Sequence, residues 1–406
     1  MSEVSGVGDC PFLLTTRIAT ISRMQPVLAI ALVLSIALLP TSASAASSIK
    51  PGAECKKLNQ VATSSGVSYI CLQSGKKLSW SSQAANYEKT KLKAYAQIRA
   101  GADSGNLDNV ELVYHISSSF PKDLKQLYTA QVEYASKLYG SLFAKKEVVN
   151  IYMYTEKDEK YLRTQPILAE FLDEHLPWFQ AWRQGKDQEH NLGLAAWFKE
   201  GPPGVLEGHA GVLASSKASA KTMRKYAIQV MPHEYWHVVQ DYYFKPTFED
   251  KFQARADKSL DGLDFYTLHF PTTFREGSAN TISFAMAANT KKEYLELYRY
   301  FITELKNYSH LKLITTLTST QSVEKALKKI EDRRTFREAH EASYPLGSLL
   351  YEWVIAEYGF DAYKKILENQ MTGETFEDNI QASLGMSVAE LYKKAAPHIL
   401  AAFSGR

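Results

Sequence analysis

The chain has 406 residues, 45% of them hydrophobic, and a formal net charge of +3. That length and apolar content suffice to bury a sizeable core in one large or two modest domains. The near-neutral balance, with lysines scattered and no basic tract interleaved with aromatics, excludes nucleic acid as the expected partner.

Arg17 and Arg23 precede a mostly apolar run from Val27 to Leu39, and Ala43-Ser44-Ala45 then places small residues where a signal peptidase reads. Residues 1–45 are therefore expected to be an export signal, with Ala46 as the first mature residue and Met24 as an alternative translation start. The apolar run is well short of the ~20 residues that cross a bilayer as a helix, so no stable membrane span is expected after cleavage. The mature chain is expected to be secreted or associated with the cell envelope. Cleavage removes Cys10 and leaves Cys55 and Cys71, an even pair in an oxidising compartment, which predicts one disulfide. Both lie within residues 46–82, a stretch rich in Ser, Gly and Lys that reads as two short strands with turns and ends in Gly75-Lys76-Lys77-Leu78-Ser79-Trp80. It resembles a small two-Cys module found at the start of exported proteins of Gram-positive actinobacteria. That resemblance implies either a stapled linker or a contact with the cell envelope.

The polar stretch Ser81 to Asn86 marks a boundary, and residues 83–406 read as an α+β region. A strand-containing part runs to about residue 242, and a mostly helical part covers 243–406. Helical periodicity covers Tyr87 to Ala100 and Leu124 to Tyr139, and Val148 to Tyr154 alternates like a strand. A second strand candidate, within Gly204 to Ala214, is expected either to form a sheet edge able to pair with an extended peptide or to be a flexible loop. Trp178, Trp182 and Trp197 either line a substrate cleft or pack in the core. Further helices are predicted over Lys291 to Tyr308, Ser322 to Ile330, Leu346 to Tyr358 and Val388 to Phe403.

From about Met223 to Tyr242 apolar residues recur at helical steps, and inside this stretch lies His233-Glu234-Tyr235-Trp236-His237. Residues four apart share a helix face, so both imidazoles can address one metal ion while Glu234 stands beside it as a general base. Pro232 is expected to kink the helix or start it afresh. A catalytic zinc takes three protein ligands and leaves a fourth position for water, and Glu276, 39 residues after His237 in Phe274-Arg275-Glu276-Gly277-Ser278-Ala279-Asn280, supplies the missing carboxylate.

This pair of motifs resembles the gluzincin metallopeptidases, the superfamily of thermolysin and the zinc aminopeptidases. The resemblance implies a zincin-like domain, a small sheet packed on an active-site helix, with one Zn2+ held by His233, His237 and Glu276 and with Glu234 as base. The string around His237, continuing to Asp241, is similar to thermolysin beyond the ligands, and Asn280 falls where such enzymes orient a ligand histidine; both are expected just outside the ligands. Tyr344, before Pro345 and three residues ahead of Gly347, matches a tyrosine that stabilises the oxyanion, with Pro345 at a helix start and Gly359 as its stop. No Gly-x-Met-Glu-Asn string occurs, which argues against standard aminopeptidase specificity.

His115, His175, His190, His209, His269, His310, His340 and His398 have no helical partner at ligand spacing and read as surface or core residues. His209 and His340 stand out among them, near the candidate edge strand and just before Tyr344. No Gly-x-Ser-x-Gly elbow supports a serine hydrolase. The expected function is an exported zinc-dependent peptidase acting on peptide or protein substrates. Two alternatives share its residues: an envelope-binding or scaffolding protein with an inactive zincin domain, and a zinc hydrolase of cell-wall peptides.

Overall fold

The computed structural model describes residues 49–404 apart from 58–59, 65–66, 75–76, 165–171, 173–175, 201–205, 256–268, 307–310, 332–335 and 373. The expected leader with its expected cleavage site, His175 and His310 lie outside the described residues. The architecture is mixed α+β, with two small sheets and a mostly helical C-terminal part.

The first sheet is an antiparallel meander, β1 (Val61–Ser64), β2 (Val67–Ser74) and β3 (Lys77–Ser82). Cys55 and Cys71 are joined by a disulfide that ties the preceding segment to β2. So short a sheet has little core of its own, and a covalent staple is the usual remedy at that size. The module runs straight into α1 (Gln83–Ser104), whose first turn is capped by the Ser82 hydroxyl accepting from the Ala85 amide.

In the second sheet β4 (Val110–Ile116), α2 (Lys122–Gly140) and β5 (Glu147–Thr155) form a parallel crossover. After the short α3 (Leu176–Arg183) come β6 (Asn191–Glu200) and β7 (Leu206–Ala214). The spatial order is β4-β5-β7-β6, with β7 parallel to β5 and antiparallel to β6. The sheet's edges are thus β4 and β6, and the segment within Gly204 to Ala214 forms an inner strand, not an edge. β5 takes one side of β7 in parallel pairing, leaving the other side for β6.

Alternation separates the faces. Val149, Ile151 and Met153 of β5 join Ala210, Val212 and Ala214 of β7 in the main core. On the opposite face Tyr154, Leu192 and Leu213 pack with Phe179 and Trp182 in a smaller cluster, against which Trp178 also lies. Trp178 and Trp182 are therefore packing residues; the Trp197 side chain lies outside what is described.

The main core is completed by α4 (Val230–Arg255), α5 (Thr272–Ala287), α6 (Lys291–Lys306), α7 (Thr320–Ile330), α8 (Phe336–Tyr358), α9 (Phe360–Glu368), α10 (Phe376–Leu384) and α11 (Val388–Ser404). A 3-10 turn, Lys225–Gln229, precedes α4, so Pro232 falls in the helix's first turn, where its missing N–H costs nothing. Pro345 does not start a helix: α8 begins at Phe336 and runs through it, so Tyr344 sits mid-helix. Gly359, at φ +96°, breaks α8 from α9.

One packing detail sets the helical layer. A Cβ placed on Gly277 of α5 would lie 2.7 Å from the Ser348 amide nitrogen and closer still to Gly347 of α8. A Cβ on Gly347 would lie 2.9 Å from Gly277 Cα. The two glycines let α5 and α8 cross backbone against backbone, with Glu276 beside the crossing on one helix and Tyr344 one turn before it on the other.

Candidate metal centre

Three side chains converge between α4 and α5. His233 and His237, one turn apart on α4, bring their Nε2 atoms within 3.1 Å of each other, and each lies 3.4 Å from Glu276 Oε2. All three residues are buried, at 5%, 5% and 4% exposure. Ligand atoms about 2.0–2.1 Å from a tetrahedral ion stand about 3.3 Å apart, so the 3.1, 3.4 and 3.4 Å triangle has the dimensions of one face of such a shell. Among the described residues it is the one group of His, Cys, Asp and Glu able to hold a metal ion.

One of the two imidazoles, that of His237, is oriented from behind. His237 Nδ1 is 2.6 Å from Gln240 Oε1, and Gln240 Nε2 donates to the Arg275 carbonyl at 3.0 Å and to Ser278 Oγ at 2.9 Å. An amide oxygen can only accept, so Gln240 fixes the proton on Nδ1 and leaves the Nε2 lone pair facing the cluster. For His233 the adjoining group is Asn280, but the His233 Nδ1 is buried without a hydrogen-bond partner among the described residues. Asn280 Oδ1 accepts from Gln229 Nε2 at 3.2 Å, and Ser283 Oγ donates to Gln229 Oε1. The partner of His237 is Gln240, one place before Asp241, which is buried at 8% on the same helix.

The electrostatics suit a cation. Burial would raise the Glu276 carboxyl, but the charge of His237, hydrogen bonds from both imidazoles and the Arg275 guanidinium hold it well below the usual carboxylate range. Burial lowers His233, with Glu276 opposing. Burial would lower His237 as well, yet Glu276 and Glu234 outweigh it and lift this imidazole above its ordinary value. Glu234, desolvated under β6, is pushed up to about 8, with Glu276 adding to the rise and His237 and Arg275 opposing it. Two nearby carboxyls are thereby driven apart, Glu276 toward permanent ionisation and Glu234 toward a group that exchanges a proton near neutrality.

Tyr344 lies beside this group. Its ring stacks on His233 at 5.8 Å and 18°, and its hydroxyl is 3.5 Å from His340 Nε2. Burial, then the Glu276 and Glu234 carboxylates, keep the phenol protonated and therefore a hydrogen-bond donor. Apart from His340, the other described histidines are engaged elsewhere. His115 stacks on Tyr152, and His209 bonds the Tyr152 hydroxyl at 3.0 Å on the sheet face away from α4. His190 pairs with Asp187, His269 with the Glu374 carbonyl, and His398 with Glu352.

Sequence reasoning did not assign roles to Gln240, Gln229, His340 or Gly193. Gln240 was findable, since it lies three residues after His237 on the same helix face. Gly193 carried no signal, because its neighbour Glu234 comes from a distant element. No family model, curated protein or solved structure matches this chain.

Proposed function

We propose that this chain is an exported zinc-dependent peptidase that cleaves peptide bonds with Glu234 as general base. The observation that carries the reading is the buried His233, His237 and Glu276 triangle with its tetrahedral edge lengths and an oriented histidine behind it. Two imidazoles and one carboxylate are a donor set typical of catalytic zinc, which keeps a fourth position open. Zinc bound there supplies a Lewis acid that polarises a carbonyl and lowers the pKa of a water.

The chain's own residues do the rest. Glu234, adjacent to His233 and not part of the triangle, takes a proton from the attacking water and returns it to the leaving amine. Tyr344 donates to the oxygen on which negative charge develops, an interaction worth about 3 kcal/mol at comparable sites. The edge strand β6, unpaired on its outer side among the described residues, passes Glu234 at Gly193 and offers backbone groups to an extended substrate.

The test is elemental analysis of the secreted protein, paired with cleavage of a mixed peptide library with and without a chelator. One zinc per chain and chelator-sensitive cleavage are expected, with Glu276→Ala losing zinc and Glu234→Gln keeping zinc but not turnover. Absence of zinc would overturn the reading and leave envelope binding through residues 46–82 as the better account. Cleavage confined to cell-wall peptides would keep the chemistry and change the substrate.

A further inference from the structure

We propose that Gly193, on the edge strand β6, is the positioning residue for the Glu234 carboxylate; this rests on the peptidase reading for its catalytic consequence but not for its geometry. A Cβ added at Gly193 would stand 2.5 Å from Glu234 Cδ and 2.8 Å from Cγ, and nearer still to Oε1. Real Cβ atoms essentially never approach within 3.0 Å. Three successive atoms of the side chain are involved, so turning the carboxyl about its last bond moves only its oxygens and leaves the Cδ and Cγ contacts; the whole group has to withdraw.

Backbone conformation does not call for glycine here. The described glycines with positive φ are 52, 185, 359 and 385, and Gly193 is not one of them. It sits in regular antiparallel register opposite Val212. The close approach of Glu234 is what the missing side chain accommodates.

The strand is also held so that it is the carboxylate that must yield. Asn191 Nδ2 donates to the Tyr128 hydroxyl at 2.7 Å and to the Ala227 carbonyl at 2.9 Å, tying β6 to α2 and to the turn leading into α4. Leu192 is buried in the outer cluster. Gly193 is thus a fixed floor for the general base, while the three metal-facing atoms come from α4 and α5. Alanine at 193 should move the base by at least about 0.5 Å, the gap between 2.5 and 3.0 Å, without touching the ligands.

Two independent measurements test this. In the first, melting temperatures are compared for the wild type, Gly193→Ala, Glu234→Ala and the double variant, with the metal removed. Alanine at 193 should lower the melting temperature when Glu234 is present and have no such effect once Glu234 is truncated. An equal loss in both backgrounds would overturn the contact. In the second, Gly193→Ala should lower kcat by on the order of 10²-fold, with zinc content unchanged and KM nearly so. Adding Glu234→Asp, one methylene shorter, should restore part of that loss although it is harmful alone. A Gly193→Ala enzyme within about twofold of wild-type kcat, or a double variant whose losses multiply, would overturn the positioning role. If Glu234→Gln cleaves as well as the wild type, Glu234 is not the general base and that part of the peptidase reading has failed instead, and the melting comparison still decides the Gly193 contact.

Discussion

The crossing of α5 and α8 at Gly277 and Gly347 ties the geometry of the metal centre to two glycines, and Gly277→Ala is the perturbation that measures it. The new Cβ would lie 2.7 Å from Ser348 N, against the 3.4 Å at which ordinary contact begins, and closer still to Gly347. The obstructing atoms are backbone, so no rotamer relieves the clash, and the helices must part by at least about 0.7 Å, the difference between those distances. Overpacking of this kind costs about 1–3 kcal/mol. Separation displaces Tyr344 from Glu276, and a misplacement on the order of 1 Å costs about 10²-fold in turnover. The assay is kcat on a cleaved library peptide, with zinc content and thermal melting measured on the same preparation. Gly277→Ala should melt lower and lose turnover by that factor, and Gly347→Ala should behave alike. A variant with wild-type melting temperature and kcat would refute the claim that the crossing holds the site.

Gln240→Ala should weaken metal affinity by about 10- to 100-fold, because it removes the acceptor that orients His237; an unchanged dissociation constant in a chelator competition would remove Gln240 from that role. Protons compete with the metal for both imidazoles, so a chelator competition run at stepwise lower pH should show the metal dissociation constant rising on acidification. A dissociation constant that does not change with pH would exclude the histidines as ligands. Lys91 of α1, 1% exposed, donates to Glu352 Oε2 of α8 at 2.6 Å, while His398 Nε2 of α11 lies 2.8 Å from Oε1. Lys91→Met should therefore cost about 3–5 kcal/mol in urea unfolding at neutral pH, by leaving a buried carboxylate without its cation; a loss under about 1 kcal/mol would contradict that burial. Burial would raise the Glu352 carboxyl, but Lys91 and His398 hold it below the usual range. Its stabilisation is accordingly present above the unfolded pKa of about 4.3 and lost as pH falls further, and the stability gap between wild type and Glu352→Gln should narrow in acid.

The residues of the centre were legible because their chemistry is local. His233, Glu234 and His237 are fixed in relation by one turn of helix, and that relation survives whatever the helix packs against. The α+β class followed in the same way from strand alternation around Val148 to Tyr154 and helical periodicity around it, and the disulfide from the two cysteines expected to remain after the leader is cleaved. Element limits were less secure. α8 runs unbroken through Pro345, a proline that sequence rules place at a helix start, because buried Leu346, Leu349 and Leu350 hold the helix in the core.

What only the tertiary structure decided is everything that depends on two distant segments meeting. The edge strand could not be picked out in Asn191–Glu200, where Gly193, Ala195 and Ala196 blur the alternation, and pairing order is set by which neighbours remain available. The closeness of Glu276 to the two histidines, the place of Tyr344 beside His233, the glycine crossing and the Gly193 floor beneath Glu234 are all contacts between helices and a strand far apart in the chain. Sequence fixes which donors a turn of helix presents, because backbone geometry is local; it leaves open which surfaces pack against them, because packing is a property of the whole core.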